Sequence, residues 1–230
     1  MATISSDQIF TGRVANTPYD ITVSNINRTA TDVWGLKHRP SLEPTVSDDQ
    51  DSPGFGSPNA REEVSDCNIS VVREIVKSMG QDLTSMLEIG VNRNGERSMS
   101  RVLMDERPEG SFYLGVDIDD KSYLDDPAKN TWTICCNSHA TERVAGFMHS
   151  KGIKQIDLLF IDGWHSVNTC VNDWQYTRFL SQNGVVIMHD TNSHPGPIAL
   201  FEAINEDLYD KQRYCTSGED FGIAVAKRKA

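Results

Sequence analysis

"DLLFIDGWHS", residues 157 to 166, opens as an apolar run through Leu158, Leu159, Phe160 and Ile161 and turns abruptly polar at Asp162, Gly163, Trp164 and His165. An unbroken apolar run of that length suits a strand covered on both faces, where alternation would mark a strand with one wet face. A carboxylate and an imidazole at its end suit a site better than a core. Helical spacing flanks the strand on either side: "ATERVAGFMHSKG" precedes it, and Val167, Cys170, Val171 and Trp174 follow it.

The alternation extends outward. Ile69, Val72, Ile75, Val76 and Met79 recur at helical spacing before Gly80, a C-terminal stop. "LTSMLEIG" is then a buried strand ending at Glu88 and Gly90, and "ERSMSRVLMDE" a helix with Met99, Val102 and Leu103 on one face. "SFYLGVDIDD", "TWTICCNSH" and "NGVVIMHDTN" are further strands with polar ends. Strands alternating with helices predict an α/β chain with a Rossmann-like, doubly wound, mostly parallel sheet. After a helix around "IALFEAINEDLY", the segments "KQRYCTS" and "FGIAVAKR" form a hairpin that adds an antiparallel C-terminal pair, making seven strands.

Residues 1 to 60 differ from the rest. "HRPSLEPTVSDDQDSPGFGSPN" has the Pro, Gly, Ser and Asp content of a linker, and "YDITVSNI" ahead of it is a short strand or arm suited to packing on a partner subunit. The expected division is an N-terminal arm over 1–60 and one main domain over 61–230, with a homo-oligomer as the expected assembly.

A formal charge of −11 over 230 residues excludes a protein that tracks a nucleic-acid backbone by phosphate neutralisation, and Lys227, Arg228 and Lys229 are a solubilising tail. No run approaches the roughly 18 apolar residues that cross a bilayer. The opening "MATISSDQIF" lacks the basic-then-apolar order of a secretory signal, so a cytoplasmic protein with no membrane partner is expected. The five cysteines, Cys67, Cys135, Cys136, Cys170 and Cys215, have no CxxC spacing. They are expected to be small buried hydrophobes in a reducing compartment.

In open parallel sheets ligands bind beyond the carboxyl ends of the strands. That rule gathers Glu88 and Gly90, Asp117 and Asp119, Asn137 and Ser138, Asp162 and His165, and His189 and Asp190 into one region. Gly90 and Gly95 bracket a turn before a helix, but Asn92 stands where a dinucleotide fingerprint needs a second glycine to admit a pyrophosphate. Asp117 is placed to accept hydrogen bonds from a ribose diol. A nucleoside ligand without a pyrophosphate fits this pattern better than NAD.

"LEIGVNRNG", "YLGVDID", "CCNSHA", "LLFIDGWHS" with Asp173 beyond it, and "NGVVIMHD" resemble, in order and spacing, the motifs of class I S-adenosylmethionine-dependent methyltransferases. The likeness is greatest to the macrocin O-methyltransferase and cephalosporin-hydroxylase-like group of small-molecule and sugar O-methyltransferases, and it covers about residues 65 to 226. The resemblance implies S-adenosylmethionine beside Glu88, Gly90, Asn92 and Gly95, with its ribose on Asp117 and its adenine near Asn137 and Ser138. It places Asp162 next to the sulfonium and the reacting hydroxyl. It also implies a Mg²⁺ site at Asp162, His189 and Asp190, although Mg²⁺ prefers oxygen ligands and His189 departs from that preference, which leaves His189 either to orient Asp190 or to join a softer metal. The acceptor it implies is a hydroxyl of a small molecule or sugar.

His165, His189 and His194 compete for the role of general base. His165 also reads as a helix-start residue bonded to Asp190, and His194 in "SHPGP" as a surface-loop residue. Asp173 reads as an orienting group or a solvated one, and Trp164 as an apolar wall for the substrate or a residue that closes the core under the sheet. Two other functions fit the same architecture: an NAD-linked oxidoreductase, which the absent glycine at Asn92 opposes, and a non-catalytic methyltransferase-like binding subunit. A hydrolase is opposed by the lack of a G-x-S-x-G turn ahead of a helix, since "GFGSP" lies in the linker and ends at Pro58.

Overall fold

The computed structural model describes residues 9–13, 20–24, 35–37, 64–91, 98–192, 194–217 and 220–229. Strands β1 (Ile9–Arg13) and β2 (Asp20–Ser24) pair antiparallel as a separate hairpin. The arm-like strand expected at "YDITVSNI" thus pairs within its own chain. The linker residues 38–60 lie outside the described residues.

The main unit is a seven-stranded sheet of β3 (Ser85–Ile89), β4 (Phe112–Asp117), β5 (Thr131–Cys135), β6 (Ile156–Ile161), β7 (Leu180–His189), β8 (Tyr209–Tyr214) and β9 (Ile223–Arg228). Its strand order is β5-β4-β3-β6-β7-β9-β8. The first five strands run parallel, while β9 lies antiparallel between β7 and β8, as the doubly wound expectation requires. Strand order reverses between β3 and β6, and a crevice opens at such a switch point.

Side-chain alternation along these strands builds two apolar layers. Leu87, Leu114, Leu159 and Val186 face one way and meet α3 (Thr141–Ser150), α4 (Val167–Trp174) and α5 (Pro195–Ala203), where Met148, Trp174 and Leu200 are fully buried. Met86, Tyr113, Phe160 and Ile187 face the other way, under Val72 and Val76 of α1 (Asp66–Met79) and Leu103 of α2 (Met99–Glu106). Leu36, from within the expected N-terminal arm, is buried in the first layer and bridges to Ile204.

Local chemistry starts the helices where the site needs them. At α1, Ser65 and Asn68 form a reciprocal capping box, each side chain bonding the other's backbone N–H. Ser98 caps α2 and Ser166 caps α4. The start of α5 sits against the end of the β6 loop, with Gly196 N donating to His165 O at 3.0 Å. A β-carbon on Gly196 would lie 2.1 Å from that same oxygen, so only glycine allows the approach.

The cysteine expectation needs correction. Cys67 and Cys215 form a disulfide, and Cys135 is exposed; only Cys136 and Cys170 are buried thiols. Cys67 lies in the first turn of α1 and Cys215 follows β8, so a pair 148 residues apart in sequence is brought together by the antiparallel edge of the sheet.

Candidate active site

A cavity of about 300 Å³ opens at the switch point, lined by the ends of β3, β4, β5 and β6. Gly90 forms its floor in the left-handed region, φ 84°, with its N–H donated to Val116 O at 2.9 Å. Asp117 lines the next side and accepts from Val91 N at 2.7 Å and Asp119 N at 2.8 Å. A carboxylate has about four acceptor positions, so two remain for a ligand. Asn137, Ser138, Asp162 and Trp164 complete the polar and aromatic lining, and the Trp164 indole N–H has no partner among the described residues. Lys121 and His139 also line the cavity; burial pushes the His139 imidazole down, toward its neutral form. Lys121 is unmarked by its sequence context, and the resemblance gives His139, though inside "CCNSHA", no role.

Glu88 takes a different position. It points to the opposite face of β3 and is buried, accepting from Ser100 Oγ at 2.8 Å and from the Tyr113 hydroxyl. Burial outweighs those two hydrogen bonds and raises its carboxyl to about 8. It is absent from the cavity lining among the described residues. Asn92 and Gly95 lie outside the described residues.

Beyond Asp162 lies a compact group of acids and imidazoles at the ends of β6 and β7. His189 Nδ1 is 3.2 Å from Asp162 Oδ1 and 3.3 Å from Asp190 Oδ1. His165 Nε2 is 2.6 Å from Asp190 Oδ2, and the His165 and His194 rings stack with centroids 4.0 Å apart. Asp190 has φ 60°, an uncommon conformation for a residue with a side chain and one that recurs at functional sites.

Burial and charge divide the protons within this group. Burial acts to raise the Asp190 carboxyl, but the imidazoles of His189 and His165 outweigh it and hold the group well below the usual carboxylate range. Burial acts to lower His189, but Asp190 and Asp162 outweigh it and hold the imidazole well above its ordinary value. Asp162 is raised by burial, with His189 opposing. The favoured state is an ionised Asp190 beside a protonated His189.

The structure therefore joins Asp162, His165, His189 and Asp190, and separately sets Gly90, Asp117, Asn137, Ser138 and Asp162 around the cavity. Asp162 belongs to both sets. Donor atoms of Asp162, His189 and Asp190 lie within 4.8 Å of one another, as do those of His165, Asp190 and His194, so either set can enclose a cation. Nδ1 of His189, between the carboxyl groups of Asp162 and Asp190, is a position that favours a proton or a metal cation.

No protein-family model matches the sequence, and no curated protein matches it either. Solved structures do. The chain is similar to the MycE methyltransferase from the mycinamycin biosynthetic pathway, in complex with Mg, SAH and mycinamycin VI, at 16% identity and a TM-score of 0.52. That match covers 70% of this chain and 48% of MycE, so the chain spans about half the length of that neighbour. The fold is that of the class I methyltransferases. An O-methyltransferase from Bacillus cereus in complex with SAH matches at 14% identity and TM-score 0.52, over 72% of this chain and 82% of that one. TomG from Streptomyces achromogenes, an O-methyltransferase in complex with SAM, matches at 14% and 0.52, over 76% and 85%.

Three placements differ from, or go beyond, what the local sequence suggested. His194, expected on a surface loop, is 1% exposed, because Gly196 and two prolines press the start of α5 onto the β6 loop and carry the imidazole under His165. Asp173 is fully buried, and burial raises it to about 7 against the opposing hydrogen bonds of Ser138 and Asn172. Asn68 and Asp220 come from opposite ends of the domain to bond each other, and Asn68 in turn touches His189. The capping-box spacing of Ser65 and Asn68 is legible in sequence, but nothing local announces that the cap faces a histidine.

Proposed function

We propose that the protein transfers a methyl group from S-adenosylmethionine to a hydroxyl of a small molecule or sugar. The observation that carries this reading is the double membership of Asp162, which lines the cavity and bonds the buried acid and imidazole group. S-adenosylmethionine would supply an electrophilic methyl on a sulfonium, and a divalent cation would stabilise the alkoxide as it develops.

The chain's own residues supply the rest. Asp117 has acceptor positions free for a ribose diol, and Asn137 and Ser138 offer polar groups to an adenine. Asp162 places a carboxylate where a sulfonium and an acceptor hydroxyl would meet. His165, oriented by Asp190 at 2.6 Å, is the base that takes the acceptor proton, an arrangement in which a carboxylate fixes the imidazole. Asp162, His189 and Asp190 are the cation ligands, and Trp164 walls the acceptor space. A small-molecule acceptor is supported by the MycE neighbour, solved with Mg, SAH and mycinamycin VI. Fold alone does not assign chemistry, so the site bears this argument.

Calorimetric titration with S-adenosylmethionine and S-adenosylhomocysteine tests the reading; no binding of either at millimolar concentration removes it. The same titration with NAD tests the oxidoreductase alternative. A binding subunit without chemistry has one observation in its favour, the near closure of the cluster, where His189 is 3% and Asp190 5% exposed. Binding of S-adenosylhomocysteine with no turnover on any hydroxylated acceptor would select it.

No helix among the described residues is long and apolar enough to cross a membrane. We further propose a homo-oligomer in the cytoplasm that does not bind nucleic acid. The Cys67–Cys215 disulfide sets a condition on that placement, since a glutathione-reduced compartment keeps most such pairs as thiols.

A further inference from the structure

We propose that Asn68 is a positioning residue for His189. It fixes the imidazole proton on Nε2 and leaves Nδ1 to complete, with Asp162 and Asp190, a nitrogen-plus-two-oxygen donor set that favours a borderline cation such as Zn²⁺ over Mg²⁺. The inference rests on the reading of the strand ends as a cation-assisted site and deepens it.

The argument begins with the orientation of one amide. Asn68, fully buried, donates from Nδ2 to Asp220 Oδ1 at 2.9 Å and accepts at Oδ1 from Ser65 N at 3.2 Å. A carboxylate only accepts and a backbone N–H only donates. Rotating the amide would therefore set oxygen against carboxylate and NH₂ against N–H, and both bonds would be lost. The carbonyl oxygen is thereby turned toward His189 Nε2, 3.3 Å away. A carbonyl cannot donate, so the bond exists only if Nε2 carries a hydrogen.

Asp220 is fixed in turn. Its Oδ2 accepts from Ser65 Oγ at 2.6 Å and its Oδ1 from Gly222 N at 2.8 Å. The Cys67–Cys215 bond ties the turn that bears Asn68 to the chain leading into Asp220. The arm that holds the imidazole is thus anchored at both ends.

With Nε2 committed to Asn68, the other ring nitrogen is the one that lies 3.2 Å from Asp162 Oδ1 and 3.3 Å from Asp190 Oδ1. A metal-bound histidine commonly donates its far N–H to an outer acceptor, which sets the tautomer and the ring plane. Asn68 stands where that acceptor belongs. Imidazole nitrogen suits Zn²⁺ or Fe²⁺ better than Mg²⁺, whose preference is for oxygen alone.

The test reads ring nitrogens, not turnover. In ¹⁵N-histidine-labelled protein, correlation spectra should show His189 Nε2 bearing hydrogen both before and after Zn²⁺ is added, with Zn²⁺ moving only Nδ1. A bare Nε2 in either state, Zn²⁺ moving Nε2, or no Zn²⁺ binding would overturn the proposal. Asn68→Ala should weaken Zn²⁺ at least tenfold and let Zn²⁺ perturb either ring nitrogen, whereas Val76→Ala, which loosens the packing of the same helix without touching the bonds at its start, should leave Zn²⁺ on Nδ1. If the two variants change the ring alike, the effect belongs to the stability of the helix and the proposal fails. His189→Asp, an all-oxygen set, should lower the Zn²⁺ over Mg²⁺ preference at least tenfold; an unchanged ratio overturns the donor assignment. None of these readouts depends on methyl transfer, so failure of that reading in the S-adenosylhomocysteine titration is separately visible.

Discussion

Gly90 and Asp162 meet backbone to backbone at the point where the strand order reverses: a β-carbon on Gly90 would lie 2.0 Å from the Asp162 carbonyl oxygen. The contact is drawn tight by Asp162 N donating to Ile89 O at 2.8 Å. One glycine therefore sets both the floor of the cavity and the position of the carboxylate shared with the buried cluster.

Gly90→Ala should disrupt both. The new methyl must displace Asp162 and also occupy φ 84°, where a side chain adds strain of about 1 kcal/mol or more. We expect S-adenosylhomocysteine affinity to fall at least tenfold with a lower melting temperature, read by calorimetry and thermal unfolding. Wild-type affinity in the variant would mean that the strand ends do not form the binding floor.

The Asp190–His189 pair should define a window of stability. His189 is raised in the folded state, so its contribution is full below its ordinary value and is lost as pH rises through its elevated one. Asp190 is lowered, so its contribution is full above the usual carboxylate range and is lost as pH falls through its depressed value. Asp190→Asn should bring the His189 imidazole down and reduce activity by about a hundredfold or more, the scale of lost acid–base assistance. An NMR titration of His189 checks the first and steady-state rates the second; an imidazole titrating as in the parent would sink the assignment.

Glu88 and Asp173 should act oppositely to ordinary surface acids. Both are fully buried and raised, to about 8 and about 7, so each favours the fold while protonated. Stability falls as pH climbs from the unfolded carboxyl range through those values. A rise from 3.8 to about 7 corresponds to something on the order of 4 kcal/mol for Asp173 alone. Asp173→Asn should flatten the decline between about pH 4 and 8 in denaturant unfolding, and Glu88→Gln should flatten it further. An unchanged slope in both variants would show that these carboxyls stay ionised.

The strands were legible because each is an apolar run with a polar end, and burial on both faces of a parallel sheet demands that pattern. The register of "LTSMLEIG" and "DLLFIDGWHS" is supplied by the structure, because a run that is apolar on both faces has no alternation to fix it: Leu87 pairs with Leu159 and Ile89 with Ile161, which brings Gly90 and Asp162 level. Glu88 shows where the reading ran out. Its place at a strand end suggested a ligand contact, but β alternation turns it away from Ile89 and Gly90, beneath Ser100. His194 and Asn68 failed for another reason. Their surroundings are created by contacts across 29 residues to His165 and 121 to His189, and no local period records such meetings.

The disulfide is the feature least visible in sequence, and it makes a decisive measurement possible. Cys67 and Cys215 close a loop of 148 residues, and loop-closure entropy assigns such a link about 5 kcal/mol, an upper figure when the unfolded chain retains structure. A loss of 2–5 kcal/mol lowers the melting temperature of a domain this size by about 5–20 °C. Reductant should therefore destabilise the parent protein by that amount and leave Cys67→Ser, already lowered, unmoved. Because the bond anchors the α1 turn that carries Asn68, reduction should also lower cation affinity before it unfolds the sheet. Equal melting curves with and without reductant would show that the two sulfurs remain thiols in solution, and a reducing compartment would then meet no objection from the structure.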